Sequence, residues 1–138
     1  MHLPSFKEKN RSKDNSRAKD LYNLFEKLAS GICIVEGLHD IHALSYVSEI
    51  LGISISAITY DNFMKNGISG EHGVPVYVFT DEDYGGKLKQ ASIVNKLNSM
   101  GPDVQYDVVT GRRILYLLGV KCVEQVKKPL ENAMSGYI

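Results

Sequence analysis

Two short segments concentrate the residue types able to do chemistry. Val35-Glu36-Gly37-Leu38-His39-Asp40 and Phe79-Thr80-Asp81-Glu82-Asp83-Tyr84-Gly85-Gly86-Lys87 are each an apolar run that stops at carboxylates and glycine. In an extended chain, side chains two apart point the same way, so Asp81 and Asp83 can project together with Glu82 turned aside. If the run ending at Val35 lies beside the run ending at Phe79, Glu36 joins them. Three carboxylates at close range repel unless a cation neutralises them. Hard oxygen ligands in an open, partly hydrated site suit Mg²⁺ or Mn²⁺. Such an ion orients and neutralises a phosphate in phosphoryl transfer. Gly85-Gly86 lets a ligand approach the backbone closely. The N-terminus of the helix that follows offers unpaired N–H groups to a phosphate oxygen, and Lys87 and Lys89 add positive charge. Each carboxylate also has a plain structural role open to it. Asp83 can cap that helix, Asp81 can end a strand, Glu36 can pair with a lysine, and Asp40 can cap the helix before it. The two motifs together, each at the end of an apolar run, say more than either alone.

The elements that must position these residues alternate. Leu21, Leu24, Phe25 and Leu28 follow helical spacing, and Ser30-Gly31 closes that helix. Ile32 to Val35 is short, β-branched and apolar on both faces, as buried parallel strands are. A helix is predicted from His39 to Leu51, carrying Ile41, Leu44, Val47 or Tyr46, and Leu51 on one face and ending at Gly52. Ile53 to Thr59 alternates Ile and Ser, a strand with a more polar face that suits a sheet edge. Residues 60–73 read as a loop with three glycines. Val74 to Thr80 is a second apolar strand and Lys87 to Met100 a helix stopped by Gly101-Pro102. Val104 to Val109 is a strand, Thr110 to Leu118 a helix with Thr110 as N-cap, and Val123 to Ala133 a short helix interrupted by Pro129. Alternation of this kind predicts an α/β domain, a Rossmann-like parallel sheet of about four strands with helices on both faces. Ligands bind such sheets beyond the carboxyl ends of the strands, where both acidic motifs lie.

The bulk numbers agree with one domain of 138 residues, 43% of them hydrophobic. The formal charge of zero hides a gradient. Residues 1–20 carry six basic and three acidic side chains, net +3, and residues 111–138 carry five and two, also net +3. The span between them is net −6. An acidic centre can recruit a divalent cation, and basic ends can touch phosphates. Residues 1–14 lack apolar periodicity and read as a flexible basic arm, with an N-terminal helix over 15–30. Cys33 and Cys122 form no zinc-type spacing; this usage fits a reducing cytoplasm and argues against a disulfide framework. Cys33 reads as a small buried hydrophobe. No segment approaches the roughly 18–20 apolar residues of a membrane span, and no signal peptide is visible. His39 and His42 lie three apart on a predicted helix and read as an exposed face.

The two motifs also resemble something known. "IVEGLHDIHAL" followed by "VFTDEDYGGKLK" is similar to the signature of the toprim superfamily, a domain shared by bacterial-type primases, topoisomerases, recombination proteins and a ribosomal-RNA-maturing ribonuclease. The pattern is Glu-Gly after the first strand and Asp-x-Asp-x-x-Gly after a later one, here Glu36-Gly37 and Asp81, Asp83, Gly86. The resemblance spans roughly residues 31–109, with a helical extension over 110–138. The small size and the tail "GRRILYLLGVKCVEQV" look most like the small toprim proteins of archaea. The resemblance implies a compact toprim fold and one or two Mg²⁺ ions held by Asp81 and Asp83, with Glu36 as the metal-linked acid or base. Asp40, Gly37 and Gly86 would support that set from behind. Many members carry Lys after the first Gly and Arg or Lys after the second Asp; this chain has Leu38 and Tyr84. Lys87, Lys89, Arg112 and Arg113 are the cations available to replace them at a phosphate backbone.

Three functions follow from these residues. The first is a stand-alone Mg²⁺-dependent enzyme acting on nucleic-acid phosphodiesters, a nuclease or processing enzyme for RNA or DNA. The second is a non-catalytic nucleic-acid-binding or scaffold module of a larger complex, or a homodimer, in which the basic arm and Arg112-Arg113 matter most. The third, ranked last, is a small-molecule phosphotransferase, which would place its key Asp after the first strand, where Glu36 stands here.

Overall fold

Ile32–Val35 (β1), Ser56–Thr59 (β2), Val76–Val78 (β3) and Tyr106–Asp107 (β4) hydrogen-bond into one sheet in the order β2-β1-β3-β4. The structure is a computed structural model describing residues 6–68 and 73–137. All pairings are parallel, with Ile32 opposite both Ser56 and Val76, and Val76 opposite Tyr106. The carboxyl ends of β1 and β3 are therefore neighbours. β2 is an edge strand, as its alternating Ile and Ser predict.

The period of two along the strands sorts the core into two layers. Cys33, Val35, Tyr77 and Phe79 face one layer, built from α1 (Phe6–Ala29), α2 (Leu38–Leu51), α5 (Val109–Leu118) and α6 (Lys127–Met134). Ile34, Val76 and Val78 face the other, where α3 (Tyr60–Asn66) and α4 (Tyr84–Ser99) contribute Phe63, Ile93 and Leu97. This is the expected α/β architecture with a four-stranded parallel sheet and helices on both faces. The helices after residue 109 are not an appendage, because Ile114, Leu118, Leu130 and Met134 lie in the same cluster as α1 and α2. Each such fully buried side chain is worth about 1.5–3 kcal/mol. No helix among the described residues is long and apolar enough to cross a membrane.

Several local expectations are corrected. α1 starts at Phe6 rather than at 15, so the segment read as an arm is helical from Phe6 onward. Its Lys, Glu and Arg content supports a helix without needing an apolar face. Residues 60–66, read as loop, form α3: Thr59 caps it by accepting from the amide of Asn62 at 3.1 Å, and Phe63 anchors it in the core. Residues 69–72, also read as loop, lie outside the described residues. Gly31 is not a left-handed cap. A Cβ there would lie 2.1 Å from the carbonyl oxygen of Pro75, so the glycine is required by close approach to the chain entering β3. Thr110 is inside α5, and Asp107 does the capping: its Oδ1 accepts from the amides of Val109 and Thr110 at 2.7 and 2.8 Å. Pro129 sits in the first turn of α6, where its missing N–H costs nothing. A 3₁₀ turn over Val123–Gln125 precedes it.

Candidate metal centre

Because β1 and β3 are adjacent and parallel, Glu36 and Asp81 leave the sheet side by side. Glu36 Oε2 accepts a hydrogen bond from the Asp81 amide at 2.7 Å, and Glu36 Oε1 lies 3.2 Å from Lys89 Nζ. Lys89 in turn stands over the Tyr60 ring, 5.6 Å from its centroid. Glu36 is thus half-buried and fixed on both oxygens.

Behind it, Gly37 is the N-cap of α2, and its amide donates to Asp40 Oδ2 at 3.1 Å. Asp40 is 5% exposed, and burial raises its pKa, helped by the charge of Glu36. Its structural role as a cap and its place behind Glu36 coexist.

Asp83 is the N-cap of α4, its Oδ1 accepting from the Gly86 amide at 2.7 Å. Gly86 is there because nothing larger fits: a Cβ would lie 2.0 Å from the carbonyl oxygen of Asp81. Asp81 and Asp83 project together, as their spacing predicts, with Glu82 turned toward Arg112, whose Nε is 3.2 Å from Glu82 Oε1.

The C-terminal segment closes over this loop. The Glu82 amide donates to the Lys121 carbonyl at 2.7 Å, and the Val123 amide donates to Asp81 Oδ1 at 2.8 Å. That crossing brings Cys122 beside the two aspartates. Ligand atoms of Asp81, Asp83 and Cys122 lie within 4.8 Å of one another, the one such group of three among the described residues. Asp81 is pushed up to about 7, first by burial and then by Glu36 and Asp40, against the pull of the Val123 amide. The Cys122 thiol is raised by burial and by the negative charge of Asp81 and Asp83. A carboxyl raised by burial and by neighbouring acids marks a place short of positive charge, which a divalent cation would supply.

The donor set fits such an ion. Two carboxylates are hard donors and a cysteine thiolate a softer one, and together they could hold a divalent cation. Glu36 touches Asp81 through the backbone and lies outside the group of three. Cys122 is the residue that sequence reasoning misses. It carries no motif, and only the Lys121–Glu82 and Val123–Asp81 contacts place it.

The four cations named from the sequence do not form one patch. Lys87 is exposed in the first turn of α4. Lys89 is held by Glu36 and Arg112 by Glu82. Arg113 turns toward α1, lining a cleft of about 220 Å³ with Asp20, Asn23, Leu24 and Lys27. His39 and His42 are exposed on α2, in a shallow cavity of about 450 Å³ shared with Glu124 and Lys127.

No family model and no curated protein matches the chain. Among solved structures it is similar to a protein from Aquifex aeolicus, 18% identical, with a TM-score of 0.58 over 78% of this chain and 95% of that one. At that identity the likeness concerns the fold alone, and that protein's name carries no activity.

Proposed function

We propose that this chain is a toprim-type catalytic domain that cleaves nucleic-acid phosphodiesters with the help of a divalent cation. The observation that carries this reading is the meeting of Asp81 and Asp83 at the carboxyl end of β3, with Glu36 hydrogen-bonded to the Asp81 backbone from β1. Asp81, Asp83 and Cys122 would hold Mg²⁺ or Mn²⁺. Bound there, the ion would neutralise and orient a phosphate. Glu36 Oε1 is the position for a proton taken from the attacking water or given to the leaving oxygen, with Lys89 holding the carboxylate in place. Lys87 and the first turn of α4 face an incoming phosphate with positive charge.

A second reading, a nucleic-acid-binding module without turnover, is favoured by one feature. Leu38 and Tyr84 replace the cations that toprim members carry at those places. Both are exposed, at 65% and 79%.

The test is a cleavage assay on labelled single- and double-stranded RNA and DNA, in Mg²⁺, Mn²⁺ or EDTA, with wild type and Asp81→Asn. Metal-dependent cleavage by wild type alone is expected. Binding without cleavage by either chain would give the second reading the field.

A further inference from the structure

Among the described residues the two most exposed large apolar or aromatic side chains are Tyr116, at 82%, and Tyr84, at 79%. A single exposed tyrosine is ordinary. These two are set apart by position. Tyr84 opens α4 directly after Asp83. Tyr116 lies on α5, whose buried face is Thr110, Gly111, Ile114, Leu115 and Leu118. The other face carries Val109, Arg112, Arg113 and Tyr116 at i, i+3, i+4 and i+7, all exposed. That stripe holds no acid; Arg112 is its cation on the side of the aspartates, while Arg113 leans into the cleft against α1. The stripe starts against the candidate metal centre, because Arg112 pairs with Glu82, the residue between Asp81 and Asp83. Along the chain, Tyr84 stands two residues beyond the acid of the Glu82–Arg112 pair and Tyr116 one helical turn beyond its base. Lys87 stands exposed in the same turn as Tyr84.

We propose that Tyr84 and Tyr116 are stacking platforms for an unpaired nucleic-acid strand that passes the Glu82–Arg112 pair on its way to the metal centre. The inference rests on the nucleic-acid reading above and narrows its substrate to single strands. Every base offers a flat π-face, so stacking needs no sequence, and cations beside the rings track the phosphates. A duplex buries those faces in its own stack and cannot use either ring. Arg112, drawn to Glu82 in the free protein, exchanges that exposed partner for a phosphate at little cost, since exposed ion pairs are weak.

Fluorescence anisotropy with the full chain in EDTA, using a labelled single-stranded oligonucleotide roughly 16 nucleotides long and its duplex, tests this. The single strand should bind about tenfold or more tighter than the duplex, and Tyr84→Ala and Tyr116→Ala should each weaken it about tenfold. Tyr84→Phe and Tyr116→Phe should bind as wild type, and all four variants should melt with wild type, as exposed side chains predict. Equal binding of the duplex, or Ala variants that bind as wild type, would overturn the proposal while leaving a cleaving enzyme intact. A wild type that neither binds nor cuts any nucleic acid would overturn both.

Discussion

Glu36 and Asp81 are tied through the backbone: the carboxylate of one accepts the amide proton of the other at 2.7 Å, across two adjacent parallel strands. The bond locks the mouth of the sheet before any ligand arrives. Glu36→Gln keeps an acceptor for that amide but removes the charge that Lys89 pairs with. Glu36→Ala leaves the half-buried amide without its partner, at a cost of about 1–3 kcal/mol. Urea unfolding should rank wild type and Glu36→Gln close together, with Glu36→Ala below. If Glu36 handles the proton, both variants should lose cleavage by about 10²-fold or more. Full activity in Glu36→Gln would remove it from that role.

Asp81 also makes a pH signature. Asp81 titrates near 7 in the fold, chiefly because it is buried, against an unfolded value of about 3.9. A carboxyl raised in this way binds its proton more tightly in the native state. Its stabilisation is complete below about pH 4 and is lost as pH rises to about 7. Asp107 has the opposite sign. Burial works against its charge, but the bonds from Thr110 and Val109 and the charge of Lys27 outweigh it and lower its pKa, so its contribution is lost in acid. Thermal melts of the metal-free protein should therefore show wild type losing ground to Asp81→Asn between about pH 4 and about pH 7. Saturating Mn²⁺ at the upper end should restore wild type and leave Asp81→Asn unmoved. Parallel melting curves for the two chains would contradict the assignment.

Much of this arrangement is legible in the amino-acid sequence, for local reasons. β1 and β3 are β-branched and apolar on both faces, so a buried parallel strand is the simplest reading. The i, i+2 spacing of Asp81 and Asp83 at a strand end already points both side chains one way. What is not legible depends on distant parts of the chain. α3 hides among glycines, because its single buried anchor, Phe63, makes no pattern. Thr110 and Asp107 are both good caps by type, and only the backbone path decides for Asp107. Cys122 joins the aspartates because the Lys121 carbonyl takes the Glu82 amide, a contact spanning 39 residues that no spacing rule encodes.

The two cysteines should behave differently toward thiol reagents. Cys33 is fully buried in β1, and burial pushes its thiol far above the ordinary range. Cys122 is half-buried beside Asp81 and Asp83, raised less drastically. Under native conditions Ellman's reagent should modify Cys122 alone, faster as pH rises, because the thiolate is the nucleophile. Cys33 should react only after denaturation. Mn²⁺ should slow the native reaction, and more strongly than Mg²⁺, if the sulfur is a ligand. Indifference of the rate to both ions would take Cys122 out of the donor set. Cys122→Ser should then leave Mn²⁺ affinity unchanged instead of weakening it.

Gly85 and Gly86 are neighbours in the first turn of α4, yet their substitution by alanine should move stability in opposite directions. At Gly85 a Cβ meets nothing nearer than Asp83 Oδ1 at 3.7 Å, which is ordinary contact. Alanine is the better helix former by up to about 1 kcal/mol, so Gly85→Ala should be neutral or stabilising. At Gly86 the same atom would lie 2.0 Å from the Asp81 carbonyl oxygen, a backbone group that cannot rotate aside. The start of α4 would have to move away from β3, at about 1–3 kcal/mol or more. The movement would carry Asp83 with it, since the Asp83 cap is bonded to the Gly86 amide. Gly86→Ala should therefore lose Mn²⁺ binding by isothermal titration as well as urea resistance, while Gly85→Ala keeps both. Equal effects of the two substitutions would mean that the close approach of α4 to Asp81 does not set the geometry of the aspartate pair.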